Sequence, residues 1–251
     1  MLTNALIILA CVVAALAFLY LVTRTSAAHA RKEFNDFTGA VVAVIGTTYA
    51  VILAFTLSDV WNVFQQAQTN EEQEANALVN IFRLADQTSN GQQIRDLCRR
   101  YAARAINQEW PALAANQPLR NGSDLVNQLW RAAGQSRVVT GTDSIVVYQL
   151  TEELREMTEF RSIRLTQARE KLPGILWVIL IAGGVITVAA SCLFGVPNFR
   201  FHVLQVMVLA FLIALVLVAI HDIDRPYQGV VIVEPEGFQA AVQTFQNEPG
   251  R

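Results

Sequence analysis

The side chains in this chain with the clearest chemical use form a line rather than a catalytic pair. Ile45, Thr48, Ile52, Phe55, Asp59, Asn62 and Gln66 recur at three- and four-residue intervals, so at 100° per residue they share one stripe of a helix. The first four give a partly apolar lining of the kind that narrows a channel and gates by dewetting, and the last three turn polar. Repeated around a symmetric ring, Asp59 would form a girdle of carboxylates at one mouth, and rings of Asp favour cations. The expectation is a pore constriction at Thr48, Ile52 and Phe55, with a mouth at Asp59, Asn62 and Gln66. The competing expectation is that Ile52 and Phe55 pack and that Asp59 is a boundary charge at a helix end.

Other candidate chemistry is sparse. Asp222 and Asp224, with Glu234 or Glu236, are the residue types that hold a hard metal cation through oxygen, although a polar membrane boundary has the same composition. The histidines, His29, His202 and His221, have no i+4 partner and no zinc-type spacing. Gly183-Gly184 lies in an apolar run and reads as a helix-packing site, not a phosphate loop. No Gly-x-Ser-x-Gly elbow occurs. The expectation is therefore no enzyme and no cofactor beyond an inorganic cation. Cys11, Cys98 and Cys192 do not form a disulfide framework. A net charge of −2 gives no reason to expect nucleic acid. Arg95, Arg99, Arg100 and Arg104 form a basic stripe that reads as a solvated helix face paired with Asp96 or Glu109, the alternative being a dock for anionic lipid or an acidic partner. Glu71 and Glu72 read as a solvated face. Glu74 and Arg83 stand nine residues apart, on opposite sides of one helix, and are expected to bind other helices. Trp110 is expected in the core of the soluble domain or against a neighbouring subunit.

The elements that position these residues follow from where charge is missing. Hydrophobic residues make up 53% of the chain and charged residues 16%, against about 25% charged in soluble domains. Four windows carry no Asp, Glu, Lys or Arg: Leu2–Val22, Phe37–Ser58, Gly174–Phe199 and Phe201–Ile220. Each matches the roughly 20 residues a helix needs to cross a hydrocarbon core of about 30 Å. The first lacks a basic n-region and reads as a retained helix, not a signal peptide. Gly195, Pro197 and Asn198 divide the last two into a hairpin, and Trp177 fits an interfacial anchor. Between crossings two and three, residues 59–172 hold 13 basic and 14 acidic side chains. Without a Pro or Gly between Gly46 and Gly91, the second crossing should run on as one helix from Thr38 to Thr88. Thr142-Asp143 caps a helix to Lys171 that stops at Pro173, and Ser123-Asp124 caps one from Leu125 to Ala133. Breakers fall at Ser89–Gly91, Pro111, 118–122 and 134–141. The tail reads as a turn at Arg225–Gly229, an extended run at Val230–Val233, and a helix from Pro235 through Phe245. The fold class is all-α: a four-helix transmembrane bundle (1–58 and 173–221), a helical soluble domain (59–172) continuous with the second and third membrane helices, and a C-terminal tail (222–251) packing on that domain.

Ala54-Phe55-Thr56-Leu57-Ser58, Glu74-Ala75-Asn76-Ala77, Phe82-Arg83-Leu84-Ala85, Tyr101 with Glu109-Trp110-Pro111, and Asp224-Arg225-Pro226-Tyr227-Gln228-Gly229 followed by Pro235 together resemble the bestrophin-like domain family of bacterial membrane proteins. The resemblance runs from about 38 to 245. It implies a bestrophin-type organisation: a pentameric ion channel whose second crossing lines the pore and extends into the soluble domain. The sequence departs from animal bestrophins in lacking their acidic cluster after the fourth crossing, of which Asp222 and Asp224 are a fragment. The expected function is an oligomeric ion channel, cation-preferring where bestrophins usually prefer anions. The alternative is a non-conducting sensor or scaffold whose helical domain binds a partner. Expected partners are the lipid bilayer, further copies of the chain and inorganic ions. The expected location is the cell membrane, multi-pass. Arg24, Arg31 and Lys32 after the first crossing argue for an external soluble domain; Arg161, Arg164, Arg169 and Lys171, with the resemblance, place it in the cytoplasm.

Overall fold

The computed structural model describes residues 2–25, 32–117, 123–136 and 143–248. The turn readings at 118–122 and 137–141, His29, Arg31 and the caps at Ser123 and Thr142 fall on residues or side chains outside that set. Among the described residues the chain is helical without strands. It divides into two compact units: Met1–Asn62 with Lys171–Asp224, and Val63–Glu170 with Arg225–Arg251.

The first unit holds α1 (Leu2–Thr25), the first part of α2 (Asn35–Leu84), α7 (Gly174–Cys192) and α8 (Phe199–Ile223). All four helices are long and apolar enough to cross a membrane. The surface is apolar as well: Leu6 is 58% exposed, Ile175 66% and Val185 63%. Facing water this would be a large unfavourable patch, and facing lipid it is the expected outer surface. α1 lies along α8 through Ala15, Leu19, Val206 and Ala210. α2 meets α7 and α8 through Val60, Leu180 and Ile220, with Ile52, Leu53 and Leu57 partly buried beside them.

Two polar ties fix the α7–α8 hairpin. Asn198 caps α8 by accepting from the amides of Arg200 and Phe201. Asn35, at the start of α2, exchanges two hydrogen bonds with the backbone of Gly195, at 2.9 and 3.1 Å. Gly183-Gly184 packs a helix as expected. The Tyr49 ring lies where a Cβ on Gly183 would come within 2.5 Å of it, and the Tyr49 hydroxyl donates to the Leu180 carbonyl at 2.9 Å.

The second unit holds the rest of α2, then α3 (Gly91–Arg104), a π turn (Ala105–Glu109), α4 (Trp110–Ala114), α5 (Ser123–Gln135), α6 (Asp143–Gln167) and α9 (Glu236–Asn247). α2 is uninterrupted for 50 residues because no breaker occurs along it after Gly46. It closes at Leu84, short of Thr88, in a 3₁₀ turn over Ala85–Gln87, where the Thr88 amide and hydroxyl both donate to the Ala85 carbonyl. Pro111 does not stop a helix. The π turn just before it adds a residue to the spiral, and Pro111 sits at the first positions of α4, where its missing N–H costs least. α6 ends at Gln167 rather than Lys171. The chain closes there through Arg169 and Glu170 amides bonded back to Thr166 and Gln167, before Pro173 restricts Leu172. Val230–Val233 forms no strand; the Val233 amide donates to the Pro226 carbonyl and the Val233 carbonyl accepts from the Trp110 indole.

Because the Gly183 Cα faces an aromatic ring at contact distance, Gly183→Ala should destabilise the protein in detergent by about 1–3 kcal/mol. Thermal melts check this, and the loss should shrink in a Tyr49→Ala background, where the ring is gone.

Candidate functional site

The stripe on α2 lies largely on the exposed side of that helix. Thr48, Asp59, Asn62 and Gln66 are exposed, Phe55 is 74% exposed, and Ile45 and Ile52 are half-buried. Ile52 flanks the Leu180–Ile220 cluster, so it stands at the edge of the stripe, between the packed and the open faces. The packed face of α2 in the first unit is carried by Tyr49 and Val60.

Asp222 and Asp224 are engaged within the first unit. Asp222 accepts from the Asn4 side chain at 2.6 Å, and Asp224 accepts from the Leu172 amide at 2.8 Å. Among the described residues no three His, Cys, Asp or Glu side chains gather as a metal would need. The aspartates join the chain ends of this unit: the start of α1 and the start of α7 are each tied to the end of α8.

In the second unit the structure assembles a buried ionic cluster. Arg164 on α6 donates through Nε and Nη2 to the two Glu74 oxygens, at 2.7 and 2.9 Å, and through Nη2 to Glu109 at 2.8 Å. Arg161, one turn earlier, donates to the other Glu109 oxygen at 2.8 Å. The Tyr101 hydroxyl donates to Glu74 at 2.5 Å. The Arg164 guanidinium lies over the Trp110 ring, 4.6 Å from its centroid. Trp110 in turn meets Tyr227 and Phe238 edge-on and donates its indole N–H to the Val233 carbonyl. Glu74 and Arg164 are fully buried, and Glu109 nearly so. The π turn brings Glu109 and Trp110 to the core side by side.

Several sequence expectations change here. Glu71 is not on a solvated face: it is buried, and its oxygens accept from the Gly237 and Phe238 amides at 3.2 and 3.0 Å, capping α9 from another helix. α9 has no side-chain cap of its own, and Gly237 is small because a Cβ would meet the Glu71 carboxylate within 2.9 Å. The basic stripe is not uniformly solvated either. Arg95 is buried over the Phe82 ring, bonded to Asp86 and to the Glu248 carbonyl. Arg99 does pair with Asp96, at 3.0 Å, but Glu109 belongs to Arg161 and Arg164. Glu74 and Arg83 do turn to different partners, Arg83 meeting Glu248 at 2.9 Å.

Three carboxylates, Glu71, Glu74 and Glu109, thus share a core with two guanidiniums. Burial would push Glu109 up, but Arg164 and Arg161 outweigh it and hold its carboxyl below the usual value. Burial also drives the Tyr101 phenol far up, helped by the Glu74 charge. The bonds that Glu71 accepts come from backbone amides and not from a guanidinium. Burial, with Glu74 and Glu72 adding to it, raises its pKa to about 7 despite the two amides it accepts from.

Four helices able to span a membrane, with a helical unit built on the second of them, define the class: a polytopic all-helical membrane protein. The family model of the bestrophin-like domain matches residues 9–238, and the chain belongs to that family. No curated protein matches it. A point variant of a bacterial bestrophin homologue from Klebsiella pneumoniae shares its fold with a TM-score of 0.72, over 97% of this chain and 99% of that one, at 11% identity. A crystal structure of a membrane protein variant gives 0.70 over 100% of both chains, also at 11% identity.

The Glu71 carboxyl rises from 4.5 to about 7 on folding, so its contribution to stability is complete below about pH 4.5 and is lost as the pH climbs through 7. Glu109 is shifted the other way and acts only in more acid solution. Between pH 5 and 8 the melting temperature of the wild type should therefore fall. Glu71→Gln, which stays neutral and keeps an acceptor for α9, should flatten that slope.

Proposed function

We propose that this protein is a homo-oligomeric ion channel, a pentamer by its likeness to bestrophins, with its pore lined by the open face of α2. The observation that carries the reading is that, in the first unit, α2 packs by one face only. The face left open carries Thr48, Phe55, Asp59 and Asn62 in line. Along the flank of the same open face run Ala40, Ala43, Thr47, Ala50, Ala54 and Ser58, all exposed and all small. Small residues at this spacing let a second helix approach closely in a membrane. Polar and ionisable groups on a membrane helix mark an ion or substrate pathway. Copies of α2 set around an axis satisfy both: the small flank meets a neighbour, and the polar line faces water.

In this arrangement Thr48, Ile52 and Phe55 form the constriction, and Asp59, Asn62 and Gln66 form the mouth. The Asp59 ring gives the pore a preference for cations. The helical unit stands on the cytoplasmic side, with Arg169 and Lys171 as the basic residues before α7. A reporter enzyme fused after Arg251 reads that sidedness.

Purified protein in planar bilayers under asymmetric salt tests the channel. The wild type should conduct, with a reversal potential on the cation side. Ile52→Ala and Phe55→Ala should raise conductance by widening the constriction, and Asp59→Asn should move the reversal potential toward zero. Conduction with selectivity unchanged in Asp59→Asn would remove the carboxylate ring. Absence of conduction from intact oligomers would favour the non-conducting scaffold.

A further inference from the structure

Within the first unit α1, α7 and α8 together line a groove of about 540 Å³. The groove exists because its walls and floor carry small side chains: Ala14 on α1, Gly184 and Ala189 on α7, and Ala210 and Ala214 on α8. Its lining is apolar except at one end, where Asn4, Trp177 and His221 meet. Asn4 is bonded to Asp222, the neighbour of His221, and Trp177 stands edge-on to the His221 ring with centroids 5.9 Å apart. Lys171 precedes Leu172, whose amide donates to Asp224, three residues past His221.

The dimensions and polarity together select an occupant. From Asn4 to Phe18 the groove follows α1 for roughly 21 Å at 1.5 Å per residue, somewhat more than half of a hydrocarbon core about 30 Å thick. That is the depth of one leaflet with its headgroup region, half of a bilayer roughly 40–45 Å thick overall. The volume lies in the range of roughly 300–1,000 Å³ typical of small-ligand sites, which are apolar with a few polar groups fixing orientation.

We propose that the groove is a binding site for one acyl chain of a bilayer phospholipid. The headgroup sits at the end marked by His221, Trp177 and Lys171, and the chain lies over Ala14 and Gly184. Gly184 connects this site to the rest of the unit, because its other side touches Tyr49 of α2. A chain in the groove holds α7 against α2 from behind. The site stands independently of conduction.

Native mass spectrometry of the protein released from its membranes into a mild detergent tests the site. The wild type should carry one phospholipid per protomer. Ala14→Trp, which fills the trough, should lose it. Leu9→Trp, on the opposite face of α1, should keep it. Cys11 lies in the groove and is exposed, whereas Cys98 and Cys192 are buried, so an apolar maleimide reads occupancy without a substitution. Alkylation of Cys11 should accelerate when lipid is stripped and slow when phospholipid is restored. Three results would overturn the proposal: a lipid-free wild type in an intact assembly, equal lipid on Ala14→Trp, or Cys11 protection that follows oligomerisation rather than added lipid. The last would assign the groove to a second copy of the chain.

Discussion

The bidentate pairing of Arg164 with Glu74 is the constraint on which the second unit depends. Both side chains are fully buried, and a buried charge is tolerated only when opposite charges are close to it. Arg164 reaches Glu74 on α2 and Glu109 at the end of the π turn, and it stacks on Trp110. Trp110 then holds the Val233 carbonyl and the ring of Phe238. Four separate stretches of chain are thereby fixed by one guanidinium. Removing one member of such a group costs about 3–5 kcal/mol, because the survivor is left charged and unpaired. The net worth of the cluster is smaller than that and lies mainly in register: only one rotation of α2, α6 and the π turn brings these atoms together.

The same helix serves two solvents. In its first half α2 buries Tyr49 and Val60 and exposes Phe55 and Val44; in its second half it buries Glu71 and Glu74 together with Leu78, Ile81 and Phe82. The first half follows the logic of lipid, where apolar exposure is free and packing comes from small residues. The second follows the logic of water, with aromatic and aliphatic groups inside and exposed residues such as Glu72 and Gln73 outside. A continuous helix carries both, since a helix satisfies its backbone in either medium.

Much of this was legible in the sequence, for physical reasons. Charge-free windows of bilayer length identified α1, α2, α7 and α8, because lipid penalises charge residue by residue. The absence of Gly and Pro after Gly46 gave the length of α2 to within a few residues, and helical arithmetic placed Glu74 and Arg83 on opposite sides. What the sequence hid were pairings over long separation. Glu71, Glu72 and Glu74 look alike as a run, yet two are buried because the core supplies α9 amides to one and Arg164, ninety residues away, to the other. Arg161 and Arg164 read as charges flanking a membrane helix, and the α3–π–α4 continuation was masked by Pro111. A hint was available in the three- and four-residue spacing of Arg161, Arg164, Leu154 and Met157, which puts both arginines on the buried side of α6.

The face of α2 that the assembled protein turns inward is the deciding feature, and an experimental structure of the oligomer in lipid nanodiscs measures it directly. The expected result is a ring of α2 helices with Thr48, Phe55 and Asp59 toward the axis and Tyr49 turned away, against Gly183 and Gly184 of its own chain. An axis lined by α1, α7 or α8, or an α2 whose Thr48–Asp59 line faces lipid, would contradict it.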